Sequence, residues 1–234
     1  MTRLILLPGM DGTGDCFAPF LEQLDSSIPR TIITYDTQHP CDYAELEMQV
    51  RNQLPKDELF VILGESFSGP IAIAIAAHPP ANLIAAIFVC TFARSPLPLF
   101  KGMQTIISKL PLKLAPFFTI QYFILGKYSS KPLRNMLAQA ISKVSNSVFR
   151  VRANAALNVD YSDLARQIQL PCLSIVASED LLISKATSEH LALCIKEIEV
   201  EKIRAPHFVL QVAPQLAAQA VQKFLKKCSL NSKH

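Results

Sequence analysis

The sequence predicts an α/β protein: a doubly wound, mostly parallel sheet of about six strands with an inserted helical cap. Three observations carry this. Short β-branched and Leu-rich runs alternate with longer helical patterns up to about residue 90, the rhythm breaks between 96 and 158, and it resumes from 172 to 227. Alternation of this kind marks βαβ units, whose crossover helices require parallel strands. The predicted strands are 3–8, 31–35, 59–64, 83–90, 172–177 and 197–203, and the helices lie near 16–25, 43–54, 68–78, 185–195 and 212–227. The last strand, Glu-Ile-Glu-Val-Glu-Lys-Ile, alternates strictly rather than running apolar, so one face is expected to be wet and the strand to lie near the sheet edge. No repeat or linker divides the chain, and 1–234 reads as a single domain with a cap at about 96–158.

Half of the 234 residues are hydrophobic, 18% are charged, and the mean hydropathy is +0.26. This excludes disordered, collagen-like and coiled-coil classes. No apolar run reaches the ~18–20 residues of a membrane span, because His78, Pro79, Pro80 and Asn82 interrupt one stretch and Lys113 and Gln121 another. One positive charge and a run of four apolar residues precede Pro8, too few for a signal-peptide core. The six cysteines form no C-x-x-C and no metal-spaced cluster, so reduced thiols and a cytoplasmic location are expected. A net charge of +4 gives no reason to expect a nucleic-acid partner. The charge is unevenly spread, however: from Ser66 to Val159 there is no acid, and Arg94, Lys101, Lys109, Lys113, Lys127, Lys131, Arg134, Lys143, Arg150 and Arg152 all fall there.

Gly64-Glu65-Ser66-Phe67-Ser68-Gly69 follows an apolar strand and opens an Ala/Ile-rich helix. A small-x-Ser-x-small turn of this kind is a nucleophile elbow, in which small flanking residues let a tight turn lift the serine above the sheet. The competing reading is a Gly/Ser-rich turn without chemistry. A serine hydroxyl needs a base and an orienting acid, and the elbow architecture places them later in the chain, acid before histidine. His39 and His78 precede that order, His190 lies inside a helical pattern and His234 ends the chain, which leaves His207 in Ala-Pro-His-Phe after the last strand. No carboxylate occurs between Glu65 and Asp160; Asp160 and Asp163 sit where acids cap helices. Glu179 and Asp180 follow the strand 172–177, and Asp180 is the preferred acid with Glu179 second. The oxyanion donors are assigned to the amides of Phe67, next to the nucleophile, and Met10, in the Gly-rich loop Pro8-Gly9-Met10-Asp11-Gly12-Thr13-Gly14. A phosphate-binding reading of that loop fits poorly, since its glycines run G-x-x-G-x-G.

Together, Leu-Pro-Gly-Met-Asp-Gly-Thr-Gly, Gly-Glu-Ser-Phe-Ser-Gly, Ser-Glu-Asp and Pro-His-Phe resemble the α/β-hydrolase superfamily over residues 4–227. The opening loop also resembles the hydrolase-like part of plant phytyl ester synthases, which are lipid acyltransferases. The superfamily's usual His-Gly in the oxyanion loop is Pro8-Gly9 here, and its common leading hairpin is absent. The resemblance implies a serine hydrolase acting on a carboxylic ester or thioester through a Ser66 acyl-enzyme, with Asp180 and His207 completing the triad and no metal or organic cofactor. The alternatives are an acyltransferase using the same residues, or a non-catalytic ligand-binding member of the fold. The cap holds Phe100, Phe117, Phe118, Tyr122, Phe123, Tyr128 and Phe149 among its basic residues. It is expected to line an apolar pocket for a small-molecule or acyl-lipid ester and to suit peripheral contact with an anionic membrane face. Ordinary packing of these aromatics, and pairing of the lysines with acids elsewhere, is the competing expectation.

Overall fold

The computed structural model describes residues 2–97 and 117–231; Phe100, Lys101, Lys109 and Lys113 lie outside them. The six strands are β1 (Arg3–Leu7), β2 (Arg30–Ile32), β3 (Phe60–Glu65), β4 (Leu83–Val89), β5 (Cys172–Ala177) and β6 (Ile198–Ile203). They form one sheet in the order β2-β1-β3-β4-β5-β6, every neighbouring pair parallel. The helices are α1 (Ala18–Gln23), α2 (Tyr43–Gln53), α3 (Gly69–Ala77), α4 (Phe117–Leu125), α5 (Lys131–Lys143), α6 (Asn146–Asn158), α7 (Ser162–Gln167), α8 (Lys185–Cys194), α9 (Val209–Val212) and α10 (Pro214–Asn231).

Side chains alternate across a strand, and the strands sort their residues accordingly. Leu4, Leu6, Val61, Leu63, Ile87 and Val89 pack with Phe20 of α1 and Val221 and Phe224 of α10. Ile5, Leu7, Phe60, Ile62, Ala86 and Phe88 pack on the other face with α2, α3, α7 and α8. Both faces are covered, which is why β4 is apolar throughout and β1 and β3 are apolar between Arg3 at the start of one and Glu65 at the end of the other. α3 is buried at every position, wedged between the sheet and its neighbours α2 and α7. Serine or aspartate starts four of the other helices. Asp42 and Glu45 form a capping box on α2, and Ser130, Ser145 and Ser184 accept backbone N–H bonds at α5, α6 and α8.

Differences from the sequence reading are local. β2 stops at Ile32; the Ile33 amide still bonds the Leu6 carbonyl at 3.0 Å, and the Tyr35 amide then bonds the Gly12 carbonyl, in the loop after β1, at 2.8 Å. The helix expected over 212–227 is α10, which starts at Pro214, a residue suited to a first helical turn, and a separate turn of helix, α9, precedes it. β6 lies at one edge of the sheet, as expected, but Glu199, Val200, Glu201 and Lys202 are all exposed, so both of its faces are wet there rather than one. Among the described residues no helix is long and apolar enough to cross a membrane.

Candidate active site

Parallel strands deliver the loops after β1, β3, β4, β5 and β6 to one end of the sheet, where open α/β sheets place ligands. Ser66 follows β3 with φ +51°, a left-handed backbone that costs a non-glycine residue energy and persists only where surroundings impose it. They do so here. A Cβ on Gly64 would lie 2.8 Å from both the Ala72 Cβ and the Ser68 carbonyl, and one on Gly69 would lie 2.6 Å from the Thr91 Cβ.

Three of the residues singled out from sequence meet in one chain of hydrogen bonds. Ser66 Oγ lies 2.9 Å from His207 Nε2, and His207 Nδ1 lies 2.8 Å from Asp180 Oδ2. The other carboxylate oxygen, Oδ1, accepts the amides of Leu182 and Ile183, each at 2.8 Å. An ionised carboxylate only accepts, so Asp180 draws the imidazole proton to Nδ1 and leaves Nε2 to accept from the Ser66 hydroxyl. The side chains of His207 and Asp180 are only 7% and 4% exposed. Burial disfavours the imidazolium, but the charge and hydrogen bond of Asp180, with Glu65 adding to them, outweigh it and raise the His207 pKa above its ordinary value.

The runner-up acid points elsewhere: Glu179 pairs with Lys127 at 2.6 Å and Arg204 at 3.0 Å. Asp160 binds the Ser162 hydroxyl and amide, and that hydroxyl lies 2.8 Å from His190. In this second set the serine, rather than the imidazole, stands between the other two residues. Cys90, Asp180 and His207 bring ligand-type atoms within 4.8 Å of one another. Burial, followed by the Asp180 charge, pushes the Cys90 thiol well up and keeps it protonated.

The two residues expected to donate to an oxyanion sit in pinned peptides. The Gly9 carbonyl accepts the Gly12 amide at 3.1 Å, closing a turn that contains Met10. The Thr91 hydroxyl donates to the Ser66 carbonyl, fixing the peptide that carries the Phe67 amide. Tyr43 Oη donates to the Phe67 carbonyl at 3.0 Å, and the two rings stack at 4.7 Å. Over Ser66 lies a cavity of about 290 Å³. Its walls include Met10 and, from α4 to α6, Ile120, Phe123, Leu137 and Phe149.

No protein-family profile matches the chain, and no curated protein matches it in sequence. Solved structures do match in shape. A thermophilic esterase from Thermogutta terrifontis has a TM-score of 0.81, with 97% of this chain and 90% of that one covered at 18% identity. A lipase-esterase related protein from Clostridium acetobutylicum has 0.80, with 95% and 94% covered at 17% identity. The enol-lactonase from Burkholderia xenovorans has 0.78, with 97% and 92% covered at 16% identity. The fold is that of the α/β-hydrolases.

Within this α/β-hydrolase frame, sequence reasoning missed several polar groups at the cavity. Glu65 lines it beside the serine, buried, with Gln211 Nε2 donating to Oε1 at 3.1 Å. Burial pushes its carboxyl up to about 7. Asp11 lines the same wall and accepts the Thr13 amide at 2.9 Å. Glu65 follows directly from being next to Ser66 on a buried strand, whereas no local signal marks Thr91 or Tyr43.

Proposed function

We propose that the protein is a serine hydrolase that cleaves a carboxylic ester or thioester through an acyl-enzyme on Ser66. The observation that carries this is the Ser66–His207–Asp180 chain of hydrogen bonds, with the serine in a strained turn at the floor of an apolar cavity. Ser66 Oγ attacks the carbonyl carbon as its proton passes to His207 Nε2. Charge moves to the carbonyl oxygen, which the Met10 and Phe67 amides receive. Collapse breaks the C–O or C–S bond, and His207 returns the proton to the leaving group. Water then repeats the cycle: its proton goes to His207, its oxygen to the acyl carbon, and the proton finally returns to Ser66. Asp180 keeps the imidazole in the required tautomer and offsets the imidazolium charge. The similar structures described as an esterase, a lipase-esterase related protein and an enol-lactonase support a hydrolytic reading.

The test is covalent labelling with a fluorophosphonate probe beside turnover of p-nitrophenyl esters of increasing chain length. Wild type is expected to label and turn over. Ser66→Ala and His207→Ala are each expected to lose more than about 10³-fold in kcat while keeping their circular dichroism, because the two act as a unit. Wild-type turnover in Ser66→Ala overturns the mechanism, and a wild type that neither labels nor hydrolyses makes this a ligand-binding member of the fold. An alcohol acceptor in place of water would make the same site an acyltransferase; product partition in the presence of added alcohols separates the two activities.

A further inference from the structure

We infer that Arg152 is a positioning residue for the oxyanion side of the site, reaching into it from the segment between β4 and β5; the inference rests on the hydrolase reading above. Arg152 projects from α6 and is 1% exposed. Its guanidinium Nη1 donates to the Met10 carbonyl at 2.8 Å and the Asp11 carbonyl at 3.1 Å, and Nη2 donates to the Asp36 carbonyl at 2.8 Å. Its central carbon lies 5.5 Å from the centre of the Tyr35 ring and 6.0 Å from that of Phe67. One side chain thus touches both residues whose amides receive the oxyanion.

The hydrogen bonds divide the work of holding the loop. The turn bond from Gly12 to the Gly9 carbonyl fixes the peptide that carries the Met10 N–H. The next two peptides, with the Met10 and Asp11 carbonyls, are those that Arg152 grips. Without it both carbonyls lose a charge-assisted partner in a partly buried place, and the turn loses its support on the side facing Phe67. A planar fork is needed to reach three carbonyls of two loops at once, which an ammonium on a flexible stem does not reproduce. Gly12 completes the fit: a Cβ there would come 2.7 Å from Nη1. Burying a guanidinium without a carboxylate is costly; here three carbonyl dipoles and two aromatic faces offset it.

Arg152 is also tied to the body at the start of its own helix. The Ser145 amide donates to the Thr37 carbonyl at 2.8 Å, and Lys143 pairs with Asp15 at 2.5 Å. The segment between β4 and β5 therefore contributes more than a pocket wall; it braces the loop that receives negative charge.

Arg152→Lys and Arg152→Met test this, with Arg150→Met removing the same charge from the same helix as a control. Wild-type fluorophosphonate labelling is established first, so that failure of the serine reading is recognised separately. The expected result is a fall in kcat of about 10- to 100-fold in both Arg152 variants, with KM within about threefold, since an interaction realised in the transition state is lost. Affinity for an alkyl trifluoromethyl ketone, which forms an oxyanion on Ser66, falls in proportion to kcat. Arg150→Met keeps both. A folded Arg152 variant with unchanged kcat, or with KM raised alone, overturns the proposal. If neither Arg152 variant folds by circular dichroism, the residue is a structural clamp and the proposal is likewise overturned.

Discussion

Glu65 ends β3 with its carboxyl enclosed beside the serine, and its chemistry makes stability depend on pH. The unfolded group titrates near 4.5 and the folded one at about 7, chiefly because burial disfavours the charge. Between those values the folded protein holds a proton that the unfolded chain has released, so stability declines as pH rises through the window and levels off above about 7. Glu65→Gln carries no such proton. Urea unfolding from pH 4.5 to 8 is expected to show wild type losing on the order of 2–3 kcal/mol relative to Glu65→Gln; parallel pH profiles would place the carboxyl in a wetter setting. The acids after β5 give a second contrast. Asp180→Asn removes the acceptor that sets the His207 tautomer and is expected to lower kcat about 10²- to 10⁴-fold. Glu179→Gln, whose carboxylate faces Lys127 and Arg204, is expected to change kcat less than about twofold when the two are assayed together. That Ser66, Asp180 and His207 meet was legible in the sequence because Ser66 directly follows β3 and the other two lie in the short loops after β5 and β6, whose ends a parallel sheet brings together. Arg152 was not legible. Its burial depends on two distant loops presenting carbonyls to one point, and the acid-free run around it reads as solvated charge.

At the scale of elements, the turn after β1 is the part whose geometry is most exposed to test. Gly9 to Gly12 form a closed turn with Met10 in its second position, where proline is favoured in the common turn types. Met10→Pro therefore removes the N–H with little demand on the turn. A loss of about 10²–10³ in kcat is expected, the scale of one oxyanion donor, with circular dichroism unchanged. Near-native kcat in the folded variant would place that donor elsewhere. The strands were the most readable elements, and β5 (Cys172–Ala177) coincides with the expected 172–177 because an apolar run is bounded by Pro171 and polar residues. Elements at the periphery were less readable. β2 is shorter than its apolar run, with the Tyr35 amide bonded to the Gly12 carbonyl rather than to β1, and α9 is a turn of helix too short to give a periodic pattern.

Across the whole molecule, the uneven charge of the chain becomes a question of where each cation goes. The stretch from Ser66 to Val159 has basic residues and no acids, yet in three dimensions Lys127 pairs with Glu179, Lys143 with Asp15, and Arg152 is spent on backbone carbonyls. The ionisable residues lining the cavity are Asp11, Cys16, Glu65 and His207, and none of its described lining residues is a lysine or arginine. An anionic acyl chain would thus meet Asp11 and, above about pH 7, an ionised Glu65 at close range in a poorly screened space, while a neutral chain meets Ile, Leu and Phe side chains. We expect kcat/KM for a neutral ester to exceed that for an ω-carboxylate ester of equal length by about tenfold or more at low salt. The gap should narrow as ionic strength rises, because a Debye length of about 10 Å at 0.1 M screens the part of the repulsion acting at the cavity mouth. Asp11→Asn should narrow it without added salt. If the anionic ester is instead the better substrate at low salt and loses that advantage as salt is added, the basic residues between β4 and β5 recruit anions despite their pairing, and the walls of the cavity do not set the choice.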